Sequence, residues 1–325
     1  MAAGKNKTAV KTKKVSLWKD MKRHKWLYIL VLPGVIYMII FNYLPMAGLI
    51  MAFQDWKFRI RGHSGMFAPF IYSEFVGLDN FKEFFTSRTV NFWRLLSNTL
   101  SISLLNLALY FPAPIILSLF LNEMRLQGFK RVTQTMIYIP HFVSLVIVAS
   151  ITQQLFNTTD GVIYQLLKIW MGSKAPDILT KPSAFPWLIV GQSIWKETGY
   201  GTIIFLAALS GVDMQLYEAA KIDGAGRWRL MWHITLPSIR GTIVIMLIMQ
   251  CGRVLNTGFE QIYLMKNDIN VSRAQVFDTY IYERGIVQQQ FSLSAAAGMF
   301  KSVVSLIMVL GSNKIAKLCG ESGFY

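Results

Sequence analysis

EAAKIDGAG, residues 218–226, is a short polar stretch between two long apolar segments. It contains two acids, one lysine and two glycines, whereas Leu, Ile, Val, Met and Phe dominate the residues around it. A helix that faces lipid does not tolerate so many charges, because each is costly in hydrocarbon. We therefore predict that this stretch forms a loop outside the membrane, between two membrane spans.

The composition supports a membrane protein. Only 15% of the 325 residues are charged and 53% are hydrophobic, whereas soluble domains carry about 25% charged residues. The net charge is +16, and nine of the 33 Lys and Arg lie within residues 1–26, next to an apolar run. This arrangement is typical of a cytoplasmic flank under the positive-inside rule. Nucleic-acid binding is disfavoured, because the sequence has no recognition motif for it.

Residue types that support catalysis or metal binding are sparse and scattered. The two cysteines, Cys251 and Cys319, have no metal-ligand spacing, and the four histidines show no zinc-like pair. The phosphate loop G-x-x-x-x-G-K-[ST] does not occur. We predict a non-catalytic chain with no metal site and no bound cofactor. A membrane-embedded enzyme such as a glycosyltransferase would need an acid–base or metal constellation that the sequence lacks.

Six apolar segments are long enough to cross a hydrocarbon core, which needs about 20 residues per helix. They cover residues 27–51, 95–121, 133–156, 186–210, 237–255 and 293–312. The first resembles a signal peptide but is too long and lacks a small-residue cleavage site, so we predict an uncleaved anchor. The predicted fold is all-α and polytopic, with a basic segment 1–26, a membrane domain 27–320 and, within it, a cytoplasmic loop 211–237.

The distribution of basic residues predicts the orientation. With both termini in the cytoplasm, 18 Lys and Arg lie in or beside the short inside segments. The longer external loops 52–94, 157–185 and 256–292 carry 12, and three more fall within or at the edge of spans. Inside segments are therefore more basic per residue, as the positive-inside rule requires.

The polar loop has the signals of two short helices. Asp213 is placed to cap a helix that begins at Met214. Gly224 and Gly226 are expected to end it, since glycine adopts the backbone angles of a helix stop. Pro237 marks the entry to the fifth span, because proline is tolerated in the first turn of a helix.

The same loop resembles a family signature. Glu218-Ala219-Ala220, then Gly224 after three residues and Ile234-x-Leu236-Pro237 further on, is similar to the complete EAA signature of the membrane subunits of binding-protein-dependent ABC importers. The segments FVGLDNF (75–81), YIPHF (138–142) and WKETGYGTIIFLAA (195–208) resemble the subgroup that imports oligosaccharides, such as fragments of alginate or pectin.

The resemblance implies a multi-subunit transporter. Two permease subunits, implied to be different chains, would form the pathway, two ATPase subunits would bind the EAA loops, and an extracytoplasmic binding protein would deliver the sugar. ATP and magnesium would be held by the ATPase subunits. The ATPase contact carried over by the motif consists of Glu218, Ala219, Ala220, Asp223 and Gly224.

Charged residues at membrane depth are usually functional, and they suggest a substrate pathway. The candidates are Trp195, Lys196, Glu197, Tyr200, Gln250, Arg253, Phe259 and Lys301. Three bases against one acid would suit an anionic sugar; the alternative is internal pairing of Lys196 or Arg253 with Glu197 or Glu260, with no sugar contact. Gly199 and Gly201 suggest a break in the fourth span.

Aromatic side chains near these charges have two possible roles. Trp195, Tyr200, Phe259 and Tyr263 are placed to stack on sugar rings, or to pack and anchor the protein at the interface. A self-sufficient secondary transporter or channel is the alternative function. Such proteins usually show more spans and inverted repeats, and no convincing repeat is present here.

Overall fold

The structure is a computed structural model that describes residues 22–58, 65, 67–89, 91–321 and 323. Most of the predicted basic segment 1–26 lies outside these residues. The chain divides into two compact units, Met1–Ile50 and Met51–Tyr325. The described residues are almost entirely helical, with one small antiparallel sheet in which Gln54–Asp55 pairs with Glu74–Phe75.

The first predicted span is one continuous helical run. It consists of Lys25–Met38, a π-helical turn at Ile39–Tyr43, Leu44–Met46 and a 3-10 segment at Ala47–Phe53. The helices before and within the next spans are Ala68–Tyr72, Asp79–Thr86, Phe92–Leu105, Pro112–Glu123, Gln127–Phe142, Leu145–Phe156 and Val162–Met171. A π-helical turn at Asn106–Tyr110 joins the third and fourth of these into one long helix.

The fourth predicted span begins the second half of the chain with one long helix. Its α-helices are Phe185–Ser210, Met214–Ile222, Arg227–Leu230, Leu236–Ser238, Arg240–Gly252, Phe259–Met265, Val271–Ala274, Phe277–Tyr282 and Phe291–Leu318. Further π-helical turns occupy Met231–Thr235 and Glu283–Val287, and 3-10 turns occupy Gly172–Lys174 and Pro182–Ala184.

Helix length and hydropathy support the predicted spans unevenly. Lys25–Phe53, Phe92–Glu123 and Phe291–Leu318 are each long and apolar enough to cross a membrane. Three further spans are counted only if bent helix pairs are taken together, with bends of 96° within 127–156, 72° within 182–222 and 60° within 227–252. The described residues therefore contain three such helices, or up to six spans.

The third predicted span, 133–156, is not a straight helix. The chain turns by 96° between Gln127–Phe142 and Leu145–Phe156, because Val143 and Ser144 adopt extended backbone angles. The Ser144 hydroxyl then accepts a hydrogen bond from the backbone N–H of Ile147, 3.3 Å away, which caps the new helix. We refer to residues 143–144 as the corner of the third span.

The expected break at Gly199 and Gly201 is wrong, since the helix Phe185–Ser210 runs through both residues without interruption. A Cβ atom on Gly199 would lie 1.8 Å from the carbonyl oxygen of Ile137, and one on Gly201 would lie 2.9 Å from Cγ of Pro114. Glycine is used here because the backbones of neighbouring helices approach closely, as they commonly do in membranes.

The segment 256–292 is held against the second span by polar contacts. The buried amide of Asn98 donates to the carbonyl oxygens of Ser272, at 3.0 Å, and Gln275, at 2.9 Å. The Thr99 hydroxyl accepts from the backbone N–H of Phe277. These bonds satisfy backbone groups that would be costly to bury unpaired, and they place the segment over one end of the second span.

Candidate functional site

The EAA loop, residues 211–237, begins with a capped helix. The Asp213 carboxylate accepts from the backbone N–H of Gln215 at 2.9 Å, as predicted, and the helix Met214–Ile222 follows. Gly224 has a φ of +75°, and the N–H of Ala225 donates to the carbonyl of Ala220 at 2.9 Å. This is a helix stop that glycine makes without strain.

Gly226 has a different role from the predicted one. Its φ of −75° is ordinary, and it is the residue before the second helix, Arg227–Leu230. The two helical parts of the loop are joined by a hydrogen bond of 2.9 Å between the hydroxyls of Tyr217 and Thr235. Because Tyr217 lies in the first helix and Thr235 in the π-helical turn after the second, this bond fixes the angle between them.

One face of the first helix points away from the rest of the chain. Met214, Glu218 and Ile222 are exposed and are spaced by four residues, so they share a face. Ile222 is 87% exposed and lies next to Asp223 in the chain. Exposed apolar groups rimmed by polar ones are typical of a protein–protein contact. The sequence motif predicted Glu218 but not Met214 or Ile222.

A cluster of polar side chains ties the fourth span to the corner of the third. His141 Nδ1 lies 2.7 Å from Glu197 Oε2, and the His141 carbonyl accepts from Lys196 Nζ. Lys196 Nζ is also 3.3 Å from Glu197 Oε1. The ring of Tyr200 stacks on that of His141 with centroids 3.9 Å apart. We call these four residues the His141 cluster.

A cavity of 310 Å³ lies beside this cluster. Leu145 and Val148, just after the corner, form one wall, and Gln192 and Glu197 of the fourth span form another. The third wall is the start of the helix Phe259–Met265. Polar and apolar surfaces therefore meet at this cavity, as they do in sites that bind small molecules.

Hydrogen bonds set the shape of the cavity wall. The amide nitrogen of Gln192 donates to Thr152 Oγ1 at 2.7 Å. The amide nitrogen of Gln261 donates to Gln192 Oε1 at 3.1 Å and to the carbonyl of Ile189 at 2.9 Å. Because Gln261 belongs to the helix Phe259–Met265, these bonds hold that helix against the fourth span.

Two of the three bases are paired with acids, and for Lys196 the structure agrees with the alternative of internal pairing. Lys196 pairs with Glu197, and Lys301 pairs with Asp278 and donates to Asn256 Oδ1 at 2.7 Å. Both lysines are largely buried, so pairing offsets the cost of removing them from water.

Arg253 differs from the two lysines. Its side chain is exposed, and no acidic side chain pairs with it within the described part of the chain, which includes Glu197 and Glu260. It ends the helix Arg240–Gly252, and Gln250 lies half-buried on the preceding turn.

The aromatic candidates fall into three places. Trp195 is exposed and lines an apolar groove of 740 Å³, which shares Val148 and Gln192 with the 310 Å³ cavity, whereas Tyr200 belongs to the His141 cluster. Phe259 and Tyr263 stack with centroids 5.2 Å apart, and Tyr282 packs against both. Three residues were not predicted from the sequence: Tyr282 in the stacked aromatic group, His141 in its cluster, and Asp278 as the partner of Lys301. The YIPHF motif was the only signal that pointed near His141.

The family of the chain follows from comparison of its sequence with known proteins. Residues 110–316 match the family described as "Binding-protein-dependent transport system inner membrane component". The chain belongs to this family. It is the permease subunit of a binding-protein-dependent importer, and the predicted all-α, polytopic architecture is confirmed. Family membership decides against the alternative of a self-sufficient transporter or channel.

Relatives match this permease over nearly its whole length. Protein LplB of Bacillus subtilis is 50% identical and covers 96% of this chain and 95% of its own. The polygalacturonan/rhamnogalacturonan transport system permease protein YteP of the same organism is 47% identical, with 97% and 95% covered.

A solved structure shows the same architecture. A chain of the bacterial alginate ABC transporter in complex with alginate pentasaccharide-bound periplasmic protein has a TM-score of 0.83 and 37% identity. The alignment covers 94% of this permease and 99% of that chain.

Proposed function

We propose that this permease imports oligosaccharides as one half of a heterodimeric pathway driven by two ABC ATPases. An extracytoplasmic solute-binding protein delivers the sugar, and both termini of the permease lie in the cytoplasm. The observation that carries the proposal is the 47% identity, over 97% of the chain, to a permease named for polygalacturonan and rhamnogalacturonan transport. The TM-score of 0.83 to an alginate transporter chain supports the same substrate class.

The EAA loop is the proposed docking element for an ATPase. Glu218, Ala219, Ala220, Asp223 and Gly224 form the contact by motif match, and the exposed side chains of Met214 and Ile222 extend it. A short capped helix whose exposed face mixes apolar and acidic groups is suited to a cleft in a partner. In this proposal the permease binds no cofactor, and ATP with magnesium stays on the ATPase subunits.

The proposed substrate is an acidic, uronate-containing oligosaccharide. Support comes from two of the relatives above, a permease named for polygalacturonan and rhamnogalacturonan transport and a chain of an alginate transporter. Within the chain, Arg253 is the candidate that meets a sugar carboxylate, because Lys196 and Lys301 are already paired with acids. Phe259 at the 310 Å³ cavity and Tyr263 beside it offer ring faces to the sugar.

Reconstitution tests the proposal directly. The permease, its partner permease, the ATPase and the binding protein are placed in liposomes, and ATP hydrolysis is measured with oligogalacturonates and with neutral oligosaccharides of equal length. We expect stimulation by the acidic sugars. Stimulation by neutral sugars alone would refute the acidic substrate, and transport that persists without any ATPase would refute the assembly.

A further inference from the structure

The bend of the third span is concentrated at one place. The helices Gln127–Phe142 and Leu145–Phe156 meet at 96°, and only Val143 and Ser144 separate them. A bend confined to two extended residues acts as a hinge, because a change of a few backbone angles there reorients the whole following helix. The residues that contact the chain around 143–144 therefore hold the angle between the two helices.

The polar and aromatic contacts that His141 makes to another helix all go to the fourth span. His141, two residues before the hinge, contacts Lys196, Glu197 and Tyr200 of the helix Phe185–Ser210. Its side chain makes the hydrogen bond to Glu197 and the stack on Tyr200, and its backbone carbonyl accepts from Lys196. Hydrogen bonds to a charged group are stronger than neutral ones, and more so away from water.

The same helix leads to the EAA loop. It continues without a break from the His141 cluster to Ser210, about 21 Å at the usual helical rise, and Met214 begins the loop helix four residues later. Met231 and Leu236 of the EAA loop pack against a cluster that contains Phe205 and Leu209 of this helix, so a displacement of the loop is passed through these contacts to the helix and along it to His141. On the far side of the hinge, Leu145 and Val148 form a wall of the 310 Å³ cavity.

We propose that His141 is a positioning residue that couples the EAA loop to the cavity. Through Glu197 and Tyr200 it makes the hinge move together with the fourth span, so that the wall formed by Leu145 and Val148 changes whenever the EAA loop is displaced. This inference rests on the proposed function. It adds the contacts through which a displacement of the EAA loop reaches the cavity wall. These contacts belong to His141, whose side chain does not need to touch the sugar.

The test compares sugar transported per ATP hydrolysed in the reconstituted complex. His141→Ala removes both the hydrogen bond and the stack, and we expect this ratio to fall about tenfold, the effect of losing one charge-assisted hydrogen bond. His141→Gln keeps an N–H donor for Glu197 and is expected to restore at least half of the ratio. Ser118→Ala is the control, because this buried hydroxyl bonds only to Ile115 of its own helix.

The outcomes separate the inference from the function on which it rests. A wild-type ratio in His141→Ala, or His141→Gln no better than His141→Ala, overturns the role of His141 and leaves the importer in place. Failure of the wild-type complex to transport the oligogalacturonate overturns the proposed function itself. If His141→Ala does not assemble, Tyr200→Leu against Tyr200→Phe decides: only the leucine variant loses the stack, so an equal ratio in both refutes the proposal.

Discussion

Gly199 offers a sharp test of helix packing in this permease. An added Cβ atom would lie 1.8 Å from the carbonyl oxygen of Ile137 and 2.6 Å from its carbonyl carbon. An ordinary contact needs at least 3.4 Å, so the two helices would have to separate by about 1.6 Å, on the steep repulsive side of the contact. Both atoms belong to the backbone, which cannot rotate away as a side chain can.

We expect Gly199→Ala to destabilise the protein by about 3 kcal/mol or more, at the upper end of overpacking. Gly191→Ala is the matched control, because Gly191 lies in the same helix with no atom within 4 Å of its added Cβ. This control should gain about 0.5–1 kcal/mol from the better helix propensity of alanine.

The assay is thermal unfolding of the assembled complex in nanodiscs. At roughly 2–4 °C per kcal/mol for a domain of this size, Gly199→Ala should lower Tm by about 6 °C or more, while Gly191→Ala leaves it unchanged or higher. Equal melting of the two variants would show that the 127–142 and 185–210 helices are not in close backbone contact. It would also remove the support for the position of His141, one turn beyond Ile137.

Three further outcomes are expected. Glu218→Lys should abolish stimulation of ATP hydrolysis by the sugar, while the binding protein still binds to the permease. Co-purification of the ATPase with the permease measures the loss of the contact. Undiminished stimulation of ATP hydrolysis would refute the contact. Arg253→Ala should weaken uptake of oligogalacturonate about tenfold, the effect of removing one charge-assisted hydrogen bond. Arg253→Lys keeps the positive charge and should retain part of the uptake. Equal uptake by the Ala and Lys variants would exclude a role for this charge. Lys301→Met should cost about 3–5 kcal/mol by leaving Asp278 buried without its cation, and Lys301→Met with Asp278→Leu should recover most of that loss in thermal unfolding; no recovery would refute the pairing.

The EAA loop was largely predictable from the sequence because its signals are local. A capping aspartate, a run of helix formers and Gly224 act within a few residues of one another, and each has a defined backbone consequence. The apolar segments were predictable for a similar reason, since their length alone meets the requirement of the membrane. Gly226 was misread because a glycine beside a helix stop fits equally well before the next helix.

The corner of the third span could not be predicted from composition. Hydrophobic residues continue across 143–144, and Pro140, the residue that would suggest a break, lies inside the helix Gln127–Phe142. Gly199 was misread for a related reason. Glycine serves both helix breaks and close helix contacts, and only the position of Ile137, 62 residues earlier in the chain, distinguishes them.

For the charged residues at membrane depth, the partners in other helices could not be predicted from the sequence. Counting Lys196, Lys301 and Arg253 against Glu197 suggested an excess of cations, but Asp278 lies in a separate helix 23 residues before Lys301. His141 was hidden in the same way, because its partner Glu197 is 56 residues away. Ion pairs between helices depend on tertiary packing, which no periodicity in the sequence encodes.

The hydrogen bonds of Asn98 have a consequence for how the protein is made. Its buried amide reaches Ser272 and Gln275, which lie 174 and 177 residues later in the chain. At a synthesis rate of about 5–20 residues per second, the ribosome needs about 9–35 s to produce them. During that time the second span holds an amide without these final partners. Until the segment 256–292 is made, this amide must form its hydrogen bonds with other partners.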